Sequence, residues 1–291
     1  MGFLFAGLCA LCFVALDVLR KILGARLHAA LVAIGVNLGA ASVFAVVLAL
    51  SGKTGCDATF LLVASVEAAG HAVASLLYVR AVTLSPLSLT VPYLGFTPVT
   101  SMAVAAAVLG EAPNARGLAG IGLVAVGALT LHLERGARVR DLVAAPLREP
   151  GSWRMLAVAC IWGSTTSLDK IAIAHGSEAL LALWLAVGSS GLLACAWFTG
   201  LLAGLGAANV RPQGPRTDLL LATAAAAAAG AVLFQFYAYR HLLVAYVETI
   251  KRSGILPSVV IGALYFGEGG LSRRLPAAAA MTLGVSLIVL H

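Results

Sequence analysis

Apolar residues in this chain neither alternate nor recur as a stripe; they come in blocks. Ten long runs, at 2–22, 28–50, 59–80, 86–110, 115–133, 153–174, 179–204, 218–239, 242–267 and 273–291, are separated by polar breaks. The breaks carry helix-ending and turn residues such as Ser51-Gly52-Lys53, Leu84-Ser85-Pro86, Glu111-Ala112-Pro113-Asn114 and Arg211-Pro212-Gln213-Gly214-Pro215. A helix needs about 20 apolar residues to cross a hydrocarbon core of about 30 Å. The pattern therefore predicts an all-α integral membrane protein with ten transmembrane helices. The only long hydrophilic connection, 134–152, lies near the middle, which leaves no room for a soluble domain. It divides the chain into a first five-helix unit (1–133), a basic connecting loop (134–152) and a second five-helix unit (153–291).

Composition strengthens this reading. Of 291 residues, 61% are hydrophobic and 11% charged, and the mean hydropathy is +1.00. An average soluble domain is about 45–50% apolar and about 25% charged. The chain opens on Met1-Gly2-Phe3-Leu4-Phe5 without a basic stretch, so 2–22 reads as a first span and not as a signal peptide. The net charge of +7 is read as loop arginines that meet lipid headgroups, with no nucleic-acid partner implied. Cys9 and Cys12 lie in an apolar run without a second pair, which predicts packing thiols and no metal site.

The two units repeat. An offset of 157 places Gly110-Glu111 on Gly267-Glu268, Arg116 on Arg273 and Gly127 on Gly284, and an offset of 149 places Lys21 on Lys170. Because each unit holds five spans, an odd number, the repeats have opposite orientations. Inverted repeats around a central cavity are the architecture of secondary transporters. Gly35-x-x-x-Gly39 and Gly200-x-x-x-Gly204 mark helices that approach closely.

Against this apolar background the ionisable residues stand out. Glu248, Lys251 and Arg252 fall on one face of the ninth run, at helical spacings of three and four. Lys251 lies roughly 14 Å along a helix that starts at Leu242, close to a membrane midplane, where each charge costs at least about 2.5–3.5 kcal/mol. One carboxylate cannot neutralise two cations, so the face is predicted to hold an anion or to meet acids on other helices. Glu67 and His71, one turn apart in the third run, are read as a proton relay, as charge partners of Lys251 and Arg252, or as packing residues. Asp17 with Lys21 and Asp169 with Lys170 are read as interfacial anchors or local pairs, with cavity gating as the alternative. Glu111 and Glu268 are read as caps that order loops. Tyr93, Thr97, Gln235, Tyr237, Tyr239 and Tyr246 offer neutral hydrogen bonds, with Tyr93 and Thr97 foremost. Pro92, Pro98 and Pro257 are expected to kink their helices.

The repeated Leu109-Gly110-Glu111 and Phe266-Gly267-Glu268, each followed by a basic residue and a Gly-bearing span, resemble the drug/metabolite transporter superfamily in its ten-span EamA-like form. Trp162-Gly163-Ser164 followed by Lys170 adds to this resemblance. Lys251-Arg252 resembles the basic pair in the ninth helix of sugar-phosphate and nucleotide-sugar translocators, although the Gly-Asn found before it there is missing here. The resemblance implies a non-enzymatic secondary active transporter in a plasma membrane, working by alternating access as a monomer or loose dimer. It implies that the fourth and ninth helices face each other across the cavity. Its cargo would be a small anionic or zwitterionic metabolite, possibly phosphate-bearing, held by Lys251, Arg252, Glu248, Tyr93, Thr97, Tyr239 and His71. A proton or counter-substrate would couple through Glu67, His71, Asp17 or Lys170, with no cofactor. The alternatives are an exporter of amino acids or cationic, drug-like compounds, with Glu67 and Glu248 as counter-ions, and a membrane-embedded enzyme acting on lipid-linked substrates. No phosphate-binding P-loop occurs, so ATP hydrolysis is not expected. Of the nineteen Lys and Arg, thirteen are assigned to the loop face opposite the termini, which by the positive-inside rule places both termini outside. The family resemblance implies the reverse.

Overall fold

The computed structural model describes residues 1–109, 115–131, 148–202, 214–242 and 244–289. Among them every regular element is helical. In chain order these are α1 (Gly2–Gly24), α2 (Ala29–Ser51), α3 (Ala58–Leu84), α4 (Leu87–Thr90), a 3-10 segment (Val91–Gly95), α5 (Phe96–Leu109) and α6 (Ala115–Thr130). They continue as α7 (Pro150–Ala174), α8 (Glu178–Phe198), α9 (Pro215–Tyr239), α10 (Val244–Ser253), α11 (Ile255–Tyr265) and α12 (Leu271–Val289). Helix starts follow local chemistry. The imidazole of His28, the carboxylate of Asp57 and the hydroxyl of Ser177 accept from Ala30, Phe60 and Leu180 N–H, capping α2, α3 and α8.

Five helices, α1, α2, α3, α8 and α9, are long and apolar enough to cross a membrane, which is compatible with an integral membrane protein. The other predicted runs are helical but less uniform. The fourth is interrupted by the 3-10 segment containing Pro92, and the ninth breaks at Gly254, three residues before Pro257. The sixth carries Asp169 and Lys170, and the tenth begins with Arg273 and Arg274.

Burial runs opposite to that of a water-soluble protein. Asp17, Arg20, Glu67 and Arg252 are at most 6% exposed, whereas Phe3, Leu62 and Leu264 are 65–76% exposed. A helix that turns its charges inward and its large apolar side chains outward is suited to a hydrocarbon surround.

Packing is pairwise. α1 lies against α9, α3 against α7 and α8, α2 against α8 and α9, and α6 against α12. The largest apolar core joins Tyr78 and Val82 of α3, Leu87 to Leu94, Val124 and Ala128 of α6, Met155 and Val158 of α7, and Met281 and Val285 of α12. Glycine sets the closest crossings. Gly35 and Gly39, the expected small-residue pair, face Leu221 and Ala225 of α9. Gly200 ends its turn with φ at +74°, and its expected partner Gly204 lies outside the described residues.

Two loop faces are evident from the contacts. On one, the ends of α1, α3 and α11 meet the starts of α4, α7 and α12. On the other, Asp57 pairs with His175 (2.6 Å), Ser177 bonds Lys53 C=O (2.9 Å) and Arg240 reaches Glu178 (3.4 Å).

A Cβ added at Gly284 would sit 2.8 Å from Gly120 C=O and 2.9 Å from Val124 N, both rigid backbone of α6. Gly284→Ala is expected to cost about 1–3 kcal/mol by overpacking. Gly7→Ala, where the added carbon meets nothing within 4 Å, is expected to leave stability unchanged or raised. Thermal unfolding of both variants in detergent checks this, and equal shifts would contradict the α6–α12 crossing.

Candidate functional site

Between these helix pairs lies a cavity of about 180 Å³. α1 supplies Phe13, Leu16 and Arg20; α2 supplies Asn37, Ala40 and Phe44; α3 supplies Glu67 and His71. Thr97 comes from α5, Trp162, Thr165 and Asp169 from α7, and Ala182, Leu185 and Ala186 from α8. Val232, Gln235, Phe236 and Tyr239 come from α9, and Lys251 and Arg252 from α10. A smaller space of about 50 Å³ shares Phe13, Trp162, Lys251 and Arg252 with it. That space runs on to Asp17, Tyr78, Val91, Leu94 and Gly254, at the breaks in the fourth and ninth runs.

Lys251 and Arg252 occupy the last turn of the ten-residue α10. A helix C-terminus carries partial negative charge, so two cations are favoured there even without water. Lys251 Nζ donates to Gln235 Oε1 (3.1 Å), and Gln235 Nε2 donates to Tyr239 Oη (2.9 Å). The same ammonium lies 5.7 Å from the centre of the Phe13 ring. Thus Gln235 and Tyr239, one turn apart on α9, hold the lysine against the cavity wall.

Arg252 points toward α1. Asp17 is buried, accepts a short hydrogen bond from Tyr78 Oη on α3, and accepts another from Ser258 Oγ on α11 at 3.1 Å. Arg20 stacks on Tyr78, its guanidinium carbon 4.6 Å from the ring centre, and both Arg20 and Arg252 lie in the field of Asp17. The expectation that Asp17 anchors at the surface beside Lys21 is therefore corrected. Asp17 is the acid of the interior, and Lys21, four residues on, points elsewhere.

Lys21 Nζ meets Glu268 Oε1 at 2.8 Å and Ser85 C=O at 3.1 Å. Glu268 also accepts from Leu87 N–H (2.6 Å), Ser88 N–H (2.8 Å) and Ser88 Oγ (2.6 Å), which caps α4. Arg274 bonds Ser88 Oγ at 2.5 Å, and Ser85 bonds Glu149 and receives Gly151 N–H. The expected capping role of Glu268 is present; Glu111 lies outside the described residues. Five chain segments are tied together on this face.

On the opposite wall, α3 and α7 bring Glu67 and Asp169 into each other's field. Glu67 is 2% exposed, and among the described residues neither of its oxygens has a cationic or hydroxyl donor. Glu67 is thus paired with a second acid, not with Lys251 or Arg252. His71, one turn on, faces Arg20. Thr97 borders the cavity as expected, but Tyr93 does not. Its hydroxyl bonds Ala128 C=O (3.3 Å) in the core, its ring stacked on Phe96. The side chains of Tyr246, Glu248 and Lys170 lie outside those described, and Tyr237 faces Phe5 and Arg240 away from the cavity.

The residue missed in the sequence is Arg20. Arg20 is one of the thirteen cations that the sequence assigns to the loop face opposite the termini, yet it is 5% exposed and lines the cavity. Its spacing of three from Asp17 was the available signal, since residues three apart share a helix face.

No protein-family model matches the sequence, and neither does any curated protein. A solved crystal structure of a protein matches over 99% of this chain and 98% of that one, with a TM-score of 0.65 at 17% identity. The likeness is one of fold. It extends to both halves of the chain, so the ends and the interior share an arrangement already seen in an experimental structure.

Two predictions follow from the charge contacts. Asp17→Asn removes the charge in whose field Arg20 and Arg252 lie and weakens the bonds from Tyr78 and Ser258, and is expected to cost about 1–3 kcal/mol, read by thermal unfolding in detergent. Burial pushes the Glu268 carboxyl up, but the bonds from Lys21, Ser88 and Leu87 outweigh it and hold it below its ordinary value. A depressed carboxyl stabilises the fold above the unfolded value of about 4.3 and loses that contribution as pH falls through the folded value. The stability gap between wild type and Glu268→Gln is therefore expected at neutral pH and to close in acid.

Proposed function

We propose that this chain is a secondary transporter of the drug/metabolite type that carries a small anionic or zwitterionic metabolite through the central cavity by alternating access. The observation that carries this reading is the position of Lys251 and Arg252. They sit at the end of a broken helix, beside a cavity, among helices apolar enough to cross a membrane. Interrupted helices at such a site are how transporters bring charge and backbone polar groups to a substrate within a bilayer.

Helix pairing supports the inverted repeat. Counting the ten runs, the first packs on the eighth and the third on the sixth; moving each by five turns one pair into the other. The second–seventh and fifth–tenth pairs map onto themselves, and second–eighth exchanges with third–seventh. Both interrupted runs, the fourth and the ninth, are also equivalent under that shift.

Alternating access requires one face closed while the other admits substrate. Here the Lys21–Glu268–Ser88–Arg274 cluster seals one loop face, and the Asp17 cluster lies beneath it. Glu67, Asp169, Gln235 and Tyr239 line the part of the cavity toward the other face, the one that carries Asp57 and His175. Moving Arg20 from the loop tally to the interior leaves the charge bias in place, so the Glu268 face is read as cytoplasmic. A proton or a counter-substrate would complete the cycle.

The test is counterflow in proteoliposomes with labelled phosphate esters, carboxylates and amino acids. Wild type is expected to exchange at least one of them without chemical change. Lys251→Gln with Arg252→Gln is expected to lower the rate by tenfold or more, about the worth of one charged hydrogen bond. Full counterflow in the double variant would overturn the assignment of the basic pair, and chemical conversion of the solute would overturn transport itself.

A further inference from the structure

On the loop face that Glu268 closes, the end of α3 is pinned to the start of α7. Ser85 bonds Glu149 there and receives Gly151 N–H. This junction brings Arg80, one turn before the end of α3, into the field of Arg154, one turn into α7. Other cations of this face have an acid, since Lys21 and Arg274 both reach Glu268. Glu149 turns to Ser85 and lies in the field of Arg274. Among the described residues, neither Arg80 nor Arg154 has an acid in its field. Arg154 donates only to a neutral acceptor, Pro150 C=O, at 2.6 Å. The head of α7 adds the partial positive charge of a helix N-terminus to the same place.

Aromatic rings frame the two arginines. The Arg154 guanidinium carbon lies 4.5 Å from the centre of the Trp153 ring, which is 40% exposed. On the other side Arg80 lies in the field of His28, whose ring meets Trp197 edge-on at 4.7 Å. His28 adds no further cation, because its Nδ1 accepts from Ala30 N–H. Tryptophan beside arginine at a helix end is the composition of a membrane–water interface. Below Arg80 the same face of α3 continues through Val73 and Val66, spaced by seven residues and 52% and 56% exposed. At 1.5 Å per residue, Val73 lies about 10 Å deeper than Arg80, within one leaflet of a hydrocarbon core about 30 Å thick.

We infer that this junction binds one anionic phospholipid, its phosphate between Arg80 and Arg154, its headgroup beside Trp153 and an acyl chain along Val73. Charge complementarity requires an anion, because two guanidinium groups repel unless one lies between them. Their planar forks match phosphate oxygens. The exposed apolar stripe that starts at the same arginine selects a lipid over a free ion. Basic pockets between helices hold lipid headgroups in this way. The lipid bridges α3 and α7, one helix from each half of the chain, outside the cavity, so the inference does not depend on what the cavity carries.

The experiment is native mass spectrometry of the purified full chain in detergent, titrated with phosphatidylglycerol, phosphatidylcholine and inorganic phosphate. Wild type is expected to retain one phosphatidylglycerol roughly 10–100-fold more tightly than phosphatidylcholine, the range of a charged hydrogen bond. Inorganic phosphate is expected not to displace it. Arg80→Gln with Arg154→Gln is expected to bring the two lipids to within a few-fold of each other. Arg216→Gln, which removes an exposed cation from the start of α9, is expected to keep the preference. The double variant is expected to fold, because it removes a like-charge contact, and its melting point without lipid checks that. Arg154→Gln alone gives the same readout at smaller size. Equal retention of both lipids by wild type overturns the inference, as does an unchanged preference in the double variant. An equal loss in Arg216→Gln means diffuse attraction to net charge, and displacement by inorganic phosphate means a soluble-anion site; either also overturns it.

Discussion

Everything in this fold is arranged around the cost of keeping charge away from water. Asp17, Arg20 and Arg252 are each nearly fully buried, and none would be stable there alone. They are stable as a group. Tyr78 and Ser258 fill the lone pairs of Asp17, while the aromatic face of Tyr78 supports Arg20. This group draws on α1, α3, α10 and α11, and therefore fixes how the first half of the chain meets the second. Apolar packing among lipid-facing helices is nearly non-directional, because lipid chains compete equally for each contact. Charge pairing supplies the register that packing cannot.

The two loop faces are unequal for the same reason. One closes over a carboxylate, Glu268, that accepts from two backbone N–H groups, a serine and a lysine. The other is joined by exposed pairs, Asp57 with His175 and Glu178 with Arg240, which water and salt weaken. A structure closed by buried bonds on one side and by screened pairs on the other has one face that opens at lower cost. That asymmetry, more than any single cavity residue, is what the proposed alternating access rests on.

The helical segments were legible because membrane-length apolar blocks are a strong signal. The breaks within the fourth and ninth blocks were visible only as prolines. The basic pair was legible because lysine and arginine are so costly in an apolar run. Arg20 was not, because it adjoins Lys21, and neighbours on a helix point about 100° apart. One of the two lines the cavity and the other reaches Glu268, and no local pattern says which. Tyr93 and Thr97 show the second limit. Four residues apart, they share a face on an α-helix, but the 3-10 segment through Gly95 turns about 120° per residue instead of about 100°. Thr97 borders the cavity while Tyr93 bonds α6. A change of helix type decided the matter.

That change of helix type also explains why the site lies where it does. An unbroken helix satisfies its own backbone and offers a ligand only side chains. By ending α10 at Ser253 and restarting α11 at Ile255, the chain puts a helix C-terminus, with its partial negative charge, in the interior, where Lys251 and Arg252 compensate it. Gly254 makes the join possible, since a Cβ there would sit 3.2 Å from both Lys251 C=O and Val14 Cγ2 and 3.4 Å from Ala10 C=O on α1. The cations are therefore first a solution to a helix end within the fold, and Arg252 lies in the field of Asp17. Lys251 reaches from the same helix end to Gln235 and the Phe13 ring at the cavity wall, so the break that ends α10 also brings an ammonium to the space between the helix pairs.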